Sequence, residues 1–272
     1  ATTLKRRSLI SAEVTSVFMG LLGDGWTSTF WAGIFMFLTI LVVATGVGAG
    51  IERTCKIMMP LLMLFILLLV VYGFFQPGFG QAVEFVFYPD PNELEPRGVL
   101  EALGHAFFTL SLGMGAMLTY GSYQRSGSGG LLGQSVSIAI FDTAIALLAC
   151  LMMFPIIFSY GQDPSSGPGL VFMSMPLAFA EMGELGMMLG IVFFGLLVFA
   201  ALTSAISLLE VVASYLIDAH NWGRARAAWT LGGVIFGFGI ITAFANSTGF
   251  AMTSWLPGYG QSFFDTMDLL TT

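Results

Sequence analysis

The stretch ALGHAFFTLSLGMGA at residues 102–116 decides how this chain folds. It is apolar enough to lie in a bilayer, yet it sets Thr109 and Ser111 beside Gly113 and Gly115 near the middle of an otherwise ordinary hydrophobic helix. Glycine costs about 1 kcal/mol relative to alanine inside a helix and accepts backbone angles that other residues avoid. A helix is therefore easily interrupted here. An interruption at membrane depth frees carbonyls and amides that need partners within the protein, and an ion or a small polar substrate can supply them. The alternative is close helix packing at the glycines, with both hydroxyls bonded back to the preceding turn.

The surrounding sequence is that of a membrane protein. Of 272 residues, 56% are hydrophobic and only 9% charged, and the mean hydropathy is +0.87. That balance leaves too little polar surface to cover a soluble globule. The net charge of −7 comes from few ionisable groups, and no basic cluster is large enough to follow a phosphate backbone, which sets nucleic-acid binding aside. Cys55 and Cys150 make neither a disulfide framework nor a clustered metal site. No signal peptide opens the sequence, and it stops inside an apolar stretch, so a chain cut at both ends is expected.

A hydrocarbon core of about 30 Å takes roughly 20 apolar residues of helix to cross. Stretches that meet this lie at 31–47, 57–75, 99–123, 133–159, 185–216 and 227–245, with a seventh, truncated, at 262–272. The expected fold is all-α, a single polytopic membrane domain of about six complete transmembrane helices and the start of another.

Charge alternates between the connections. Glu52, Arg53 and Lys56 follow the first span, Arg125 the third, and Asp218, Arg224 and Arg226 the fifth. Their Lys/Arg excess predicts the cytoplasmic side. Glu84, Asp90, Glu93, Glu95, Glu101, Asp163, Glu181 and Glu184 occupy the opposite connections, with Arg97 alone basic among them, and predict the outside. Lys5, Arg6 and Arg7 depart from this scheme, since they precede the first span. The apolar run 170–180 within an external connection suits either a short helix folded back over the bundle, able to close a site from outside, or a surface loop resting on helix ends.

Other polar residues fall inside the spans. Asp142 is the most costly, because a carboxylate in hydrocarbon needs a cation or strong donors. Thr203, Ser204 and Ser207 suit close packing, but adjacent hydroxyls and the carbonyl of Ala200 one turn earlier also suit a small hard cation. His105 is read as a packing residue or a proton carrier. Glu210, near a cytoplasmic helix end, is expected to reach the interface.

The run 102–116, continued by Thr119, Tyr120, Gly121, Ser122 and Tyr123, closely resembles the sixth transmembrane helix of the neurotransmitter:sodium symporter family. Ala200-Ala201-Leu202-Thr203-Ser204 resembles the eighth helix. Gly50-Ile51-Glu52-Arg53 and the segment from Lys56 to Pro60 resemble the loop into the fifth, and Asp265-Thr266-Met267-Asp268 the start of the tenth. The resemblance implies the partial inverted-repeat, leucine-transporter-like fold, holding helices four to nine and the start of ten. It implies that Ala200 through its carbonyl, Thr203 and Ser204 bind one sodium ion, and that Thr109 helps bind another. The family also uses an asparagine on helix seven there. A gap-free count puts Phe141 at that position; one extra residue in the preceding loop puts Asp142 there, and Asp142 is chosen because it can ligate. Its negative charge would make transport independent of chloride.

The resemblance further implies a substrate pocket lined by Phe108, Thr109, Ser111 and Met114 and by Ser204, Ala205 and Leu208. Its walls suit an apolar or aromatic amino acid. Asp268 would belong to an external gate. The implied function is sodium-coupled amino-acid symport in the cell membrane, with sodium as coupling ion, no organic cofactor and no enzyme activity. This chain alone would be inactive. A transport-inactive scaffold or sensor is the alternative, and an intramembrane enzyme a more distant one.

Overall fold

The computed structural model describes residues 2–88, 96–123, 130–161 and 169–245. Among these, every regular element is helical: α1 (Thr2–Gly23), α2 (Gly25–Thr45), a π-helical turn (Val47–Glu52), α3 (Arg53–Phe74), α4 (Phe79–Phe87), α5 (Pro96–Thr109), α6 (Ala116–Ser122), α7 (Leu131–Ser159), a second π-helical turn (Leu170–Ser174), α8 (Met175–Met182), α9 (Glu184–His220) and α10 (Arg224–Ala245). Five apolar stretches are long enough to cross a membrane: α2, the first π-turn with α3, α7, α9 and α10. The expected 99–123 span is divided into α5 and α6, and of the two readings left open for 170–180 the helical one is found, as the second π-turn and α8. The expected seventh span, 262–272, lies outside the described residues.

Residues 2–23, outside every expected span, form α1, whose apolar part is only Leu9–Gly23. Asp24 separates it from α2 and caps the latter. Its Oδ1 accepts from the Trp26 and Thr27 amides at 3.0 and 3.3 Å, and its Oδ2 from the Thr27 hydroxyl at 2.5 Å. These bonds, the Thr27 hydroxyl foremost, hold the Asp24 carboxyl below the usual carboxylate range. The cap also explains why α2 begins at Gly25 rather than at the expected Trp31.

The chain divides into two compact units, Ala1–Lys56 with Leu202–Thr272, and Ile57–Ala201. In the first, α2 and α10 pack antiparallel through small residues. A Cβ on Gly25 would meet Phe244, on Gly33 Phe236, and on Gly232 the Ile40 side chain. Such close approach suits helices in lipid, where association relies on van der Waals contact. Trp26 meets Phe244 edge-on at 5.3 Å, and Phe37 lies 5.9 Å from Trp229. Around Ile40 and Val43 pack Ile206, Leu209, Ala213, Ala227 and Ala228. Gly232→Ala is expected to cost about 1–3 kcal/mol by overpacking. Adding Ile40→Ala removes the clash, so thermal unfolding should show the double variant losing less than the two single losses combined.

Glu210 in this unit does not reach the interface as expected. It is 0% exposed and paired with Arg224, which is 27% exposed. One Arg224 nitrogen, Nη1, donates to both carboxylate oxygens, at 2.9 and 2.7 Å. The pairing is possible because Asn221, in the left-handed conformation at φ 55°, lets the chain turn sharply from α9 into α10.

In the second unit, Leu62, Ile66 and Leu69 of α3, Met152 and Ile156 of α7, Met175 and Phe179 around α8, and Phe193 and Leu196 of α9 form one core. Pro155 has no amide to give the Leu151 carbonyl, and Gly73 of α3 comes so near that a Cβ there would lie 3.0 Å from that oxygen. Ser159 links the neighbouring connection: its hydroxyl donates to the Pro155 carbonyl at 2.6 Å and accepts from the Gly78 amide at 2.8 Å. Phe85 of α4 rests on Phe154 and Phe158 of α7. These contacts fix α7, which carries Asp142.

Candidate functional site

Thr109 ends α5, and the helical ladder stops there. The Leu110 amide still reaches the Ala106 carbonyl at 3.1 Å, but the Ser111 amide turns to Phe108 and the Leu112 amide to Phe107, both at 3.0 Å. The ladder resumes in α6 with the Thr119 amide on the Gly115 carbonyl. Two residues of the break have positive φ, Ser111 at 54° and Gly115 at 77°. Glycine takes such a conformation freely, whereas an L-residue pays about 1–2 kcal/mol for it. Gly115 thus explains the entry into α6, while Ser111 is the strained position. Ser111→Gly is expected to keep the break without loss of stability. Ser111→Val, β-branched in a left-handed position, should lower unfolding stability by about 1–2 kcal/mol.

The break places Thr109 against α7. Its hydroxyl lies 3.1 Å from Asp142 Oδ2 and 3.3 Å from the Ala106 carbonyl, and its single proton serves one acceptor at a time. Asp142 is half-buried, whereas Phe141, one position around the helix, is 63% exposed. Of the two residues weighed for the helix-seven position, it is Asp142 that meets Thr109. The two are hard oxygen donors on different helices, the donor chemistry a small hard cation takes.

The other expected sodium ligands lie on α9, which runs unbroken for 37 residues, about 55 Å at 1.5 Å per residue. Ala200, Thr203 and Ser204 are spaced i, i+3, i+4 and so share one face. Thr203 is buried, Ala200 half-buried and Ser204 exposed, and the Ser207 hydroxyl donates to the Thr203 carbonyl at 3.0 Å. The Thr109–Asp142 pair belongs to the 57–201 unit, Thr203 and Ser204 to the other. Among the expected substrate contacts, Ser111 and Met114 lie half-buried in the break and Phe108 is exposed on α5. Ala205 is half-buried and Leu208 exposed on α9. His105 is exposed on α5, and Asp268 lies outside the described residues.

Sequence reading missed the partnership of Glu210 with Arg224. The two stand 14 residues apart across a helix end, and only a hydrophobic run interrupted by one acid, followed by a turn with a basic residue, could have signalled it.

Comparison with known proteins bears on the family and the fold. The sequence model described as the sodium:neurotransmitter symporter family matches residues 24–270. An uncharacterized sodium-dependent transporter, YhdH of Bacillus subtilis (strain 168), is 37% identical over 235 residues, 86% of this chain and 51% of its own length. Another, from Haemophilus influenzae, is 35% identical over 240 residues, 88% of this chain and 51% of its own. The chain therefore spans about half the length of the curated relatives it matches. Among solved structures, MhsT in complex with L-phenylalanine superimposes with a TM-score of 0.83 at 42% identity, over 95% of this chain and 58% of that one.

Proposed function

Because the chain belongs to the sodium:neurotransmitter symporter family, we propose that it is part of a multi-pass transporter that couples sodium entry to uptake of an amino acid across the cell membrane. The observation that carries this reading is the broken helix with the Thr109 hydroxyl on the Asp142 carboxylate. A half-helix end and an unwound segment at membrane depth present backbone groups that an ion and a substrate can complete.

Thr109 and Asp142 hold one sodium ion. The Ala200 carbonyl with Thr203 and Ser204 holds a second. By likeness to the family, Phe108, Thr109, Ser111 and Met114 contribute to substrate binding, as do Ser204, Ala205 and Leu208. Mostly apolar walls favour an apolar or aromatic side chain, a preference supported by the phenylalanine bound to MhsT. The Met114 thioether is deformable, so the pocket accepts more than one such side chain. Asp268 completes an external gate. The Asp142 carboxylate balances the sodium charge itself, so coupling needs no chloride.

Thermal stabilisation of the purified whole transporter of which this chain is part tests the reading. Sodium should raise the stabilisation given by phenylalanine or leucine, and the amino acid should tighten sodium binding by the same factor, since linkage is reciprocal. The effect should be equal in chloride and in gluconate. Absence of any joint effect refutes symport, while an effect lost in gluconate refutes only the assignment of the balancing charge to Asp142.

A further inference from the structure

His105 takes no part in the Thr109–Asp142 contact, yet its place on α5 ties it to that pair. It precedes Thr109 by four residues, so the two stand one turn apart on the same side of the helix. Glu101 and Arg97 continue the same spacing toward the start of α5, and Arg97 Nε donates to Glu101 Oε1 at 2.9 Å. Polar side chains thus follow one side of α5 from its first turn to the break, where the Thr109 hydroxyl meets Asp142 Oδ2 at 3.1 Å. Glu101, His105 and Thr109 are all exposed. Ionisable side chains within a span face protein or water rather than lipid, so this side of α5 is turned away from the hydrocarbon.

Few other charges act on the pair. On α7, the helix that meets the inner end of α5, Asp142 is the only charged residue, and the one other titratable side chain is the half-buried Cys150, about two turns further on. On α5 the remaining charges, Arg97 and Glu101, offset each other in their ion pair. An imidazolium at position 105 therefore adds a net positive charge roughly 6 Å of helix rise from an ion held by Thr109 and Asp142. That separation is shorter than the screening length of about 8 Å at physiological salt, so the repulsion reaches the ion. Histidine is also the side chain that changes charge around neutral pH. We propose that protonation of His105 weakens sodium binding at the Thr109–Asp142 pair, which makes His105 a proton-sensitive regulator of the ion site. Sodium binds tightly while the imidazole is neutral and weakly once it is charged, so affinity rises with pH. The inference rests on the reading of the pair as a sodium site.

Sodium titrations of thermal stability on the whole transporter test it, at constant ionic strength with N-methylglucamine as the replacing cation. Between about pH 8 and about pH 5.5, the range over which histidine changes charge, the sodium needed for half-maximal stabilisation should rise about tenfold. Because His105 is exposed, its replacement leaves the packed core intact. His105→Gln, polar but not titrating, should bind sodium at both pH values as the unaltered protein does at the higher one. His105→Lys, charged at both, should bind about tenfold more weakly than His105→Gln throughout. A His105→Gln variant that keeps the full pH dependence, as it would if Asp142 itself took the proton, overturns the inference and leaves the sodium site standing. So does an unaltered protein whose affinity is the same at both pH values, or a His105→Lys variant that binds as well as His105→Gln. Sodium that stabilises none of the three proteins at either pH removes the symport reading and this inference with it.

Discussion

Asp142→Asn is expected to raise the sodium concentration needed for half-maximal stabilisation by about a hundredfold. The substitution keeps the shape and one oxygen ligand but removes the charge facing the ion. Removing one partner of a poorly solvated charge pair costs about 3 kcal/mol, and each 1.4 kcal/mol is tenfold in affinity. Thr109→Val, which removes only a neutral hydroxyl ligand, should cost about 1.5 kcal/mol, or roughly tenfold. Sodium titrations of thermal stability would give both values. The order matters more than the size: if the two variants lose equally, the carboxylate supplies no more than its oxygen. If neither loses, the 3.1 Å contact between them is a structural hydrogen bond and nothing more.

Arg224→Ala is expected to destabilise the fold by about 3–5 kcal/mol, because it strands the fully buried Glu210 carboxylate without its counter-charge. Glu210→Gln should cost less, about 1–2 kcal/mol, since the partly exposed Arg224 can still turn to water and the amide can still accept a hydrogen bond. The double variant Glu210→Gln with Arg224→Ala should therefore be more stable than Arg224→Ala alone. Thermal unfolding of the three variants at one lipid or detergent composition measures this coupling. A double variant as unstable as the sum of the singles would mean that the contact carries no interaction energy.

Asp142 and Glu210 show where sequence reading reaches its limit. Both are acids within apolar runs, and both stand out on cost alone. Their partners do not. For Asp142, counting along the chain left Phe141 and Asp142 open, because one residue of loop length rotates the following helix by 100°. The packing of α7 against α3 and α4, through Gly73, Pro155 and Phe85, holds the register in which Asp142 meets Thr109. For Glu210, reach to the interface was expected, yet the sharp turn at Asn221 brings Arg224 back over the carboxylate.

By itself the sequence determined that the chain is a helical membrane domain and where most of its long helices run. In hydrocarbon every backbone amide must be satisfied within its own segment, so apolar length translates directly into helix. It also marked 109–115 as a weak point, through residues whose backbone preferences are local. Only the tertiary structure decided that the helix breaks there, that Ser111 as well as a glycine takes the left-handed conformation, and that Thr109 and Asp142 face each other. Those outcomes depend on the rotation and depth of one helix against another. Side-chain packing between segments far apart in the chain sets that relation, and no local preference encodes it.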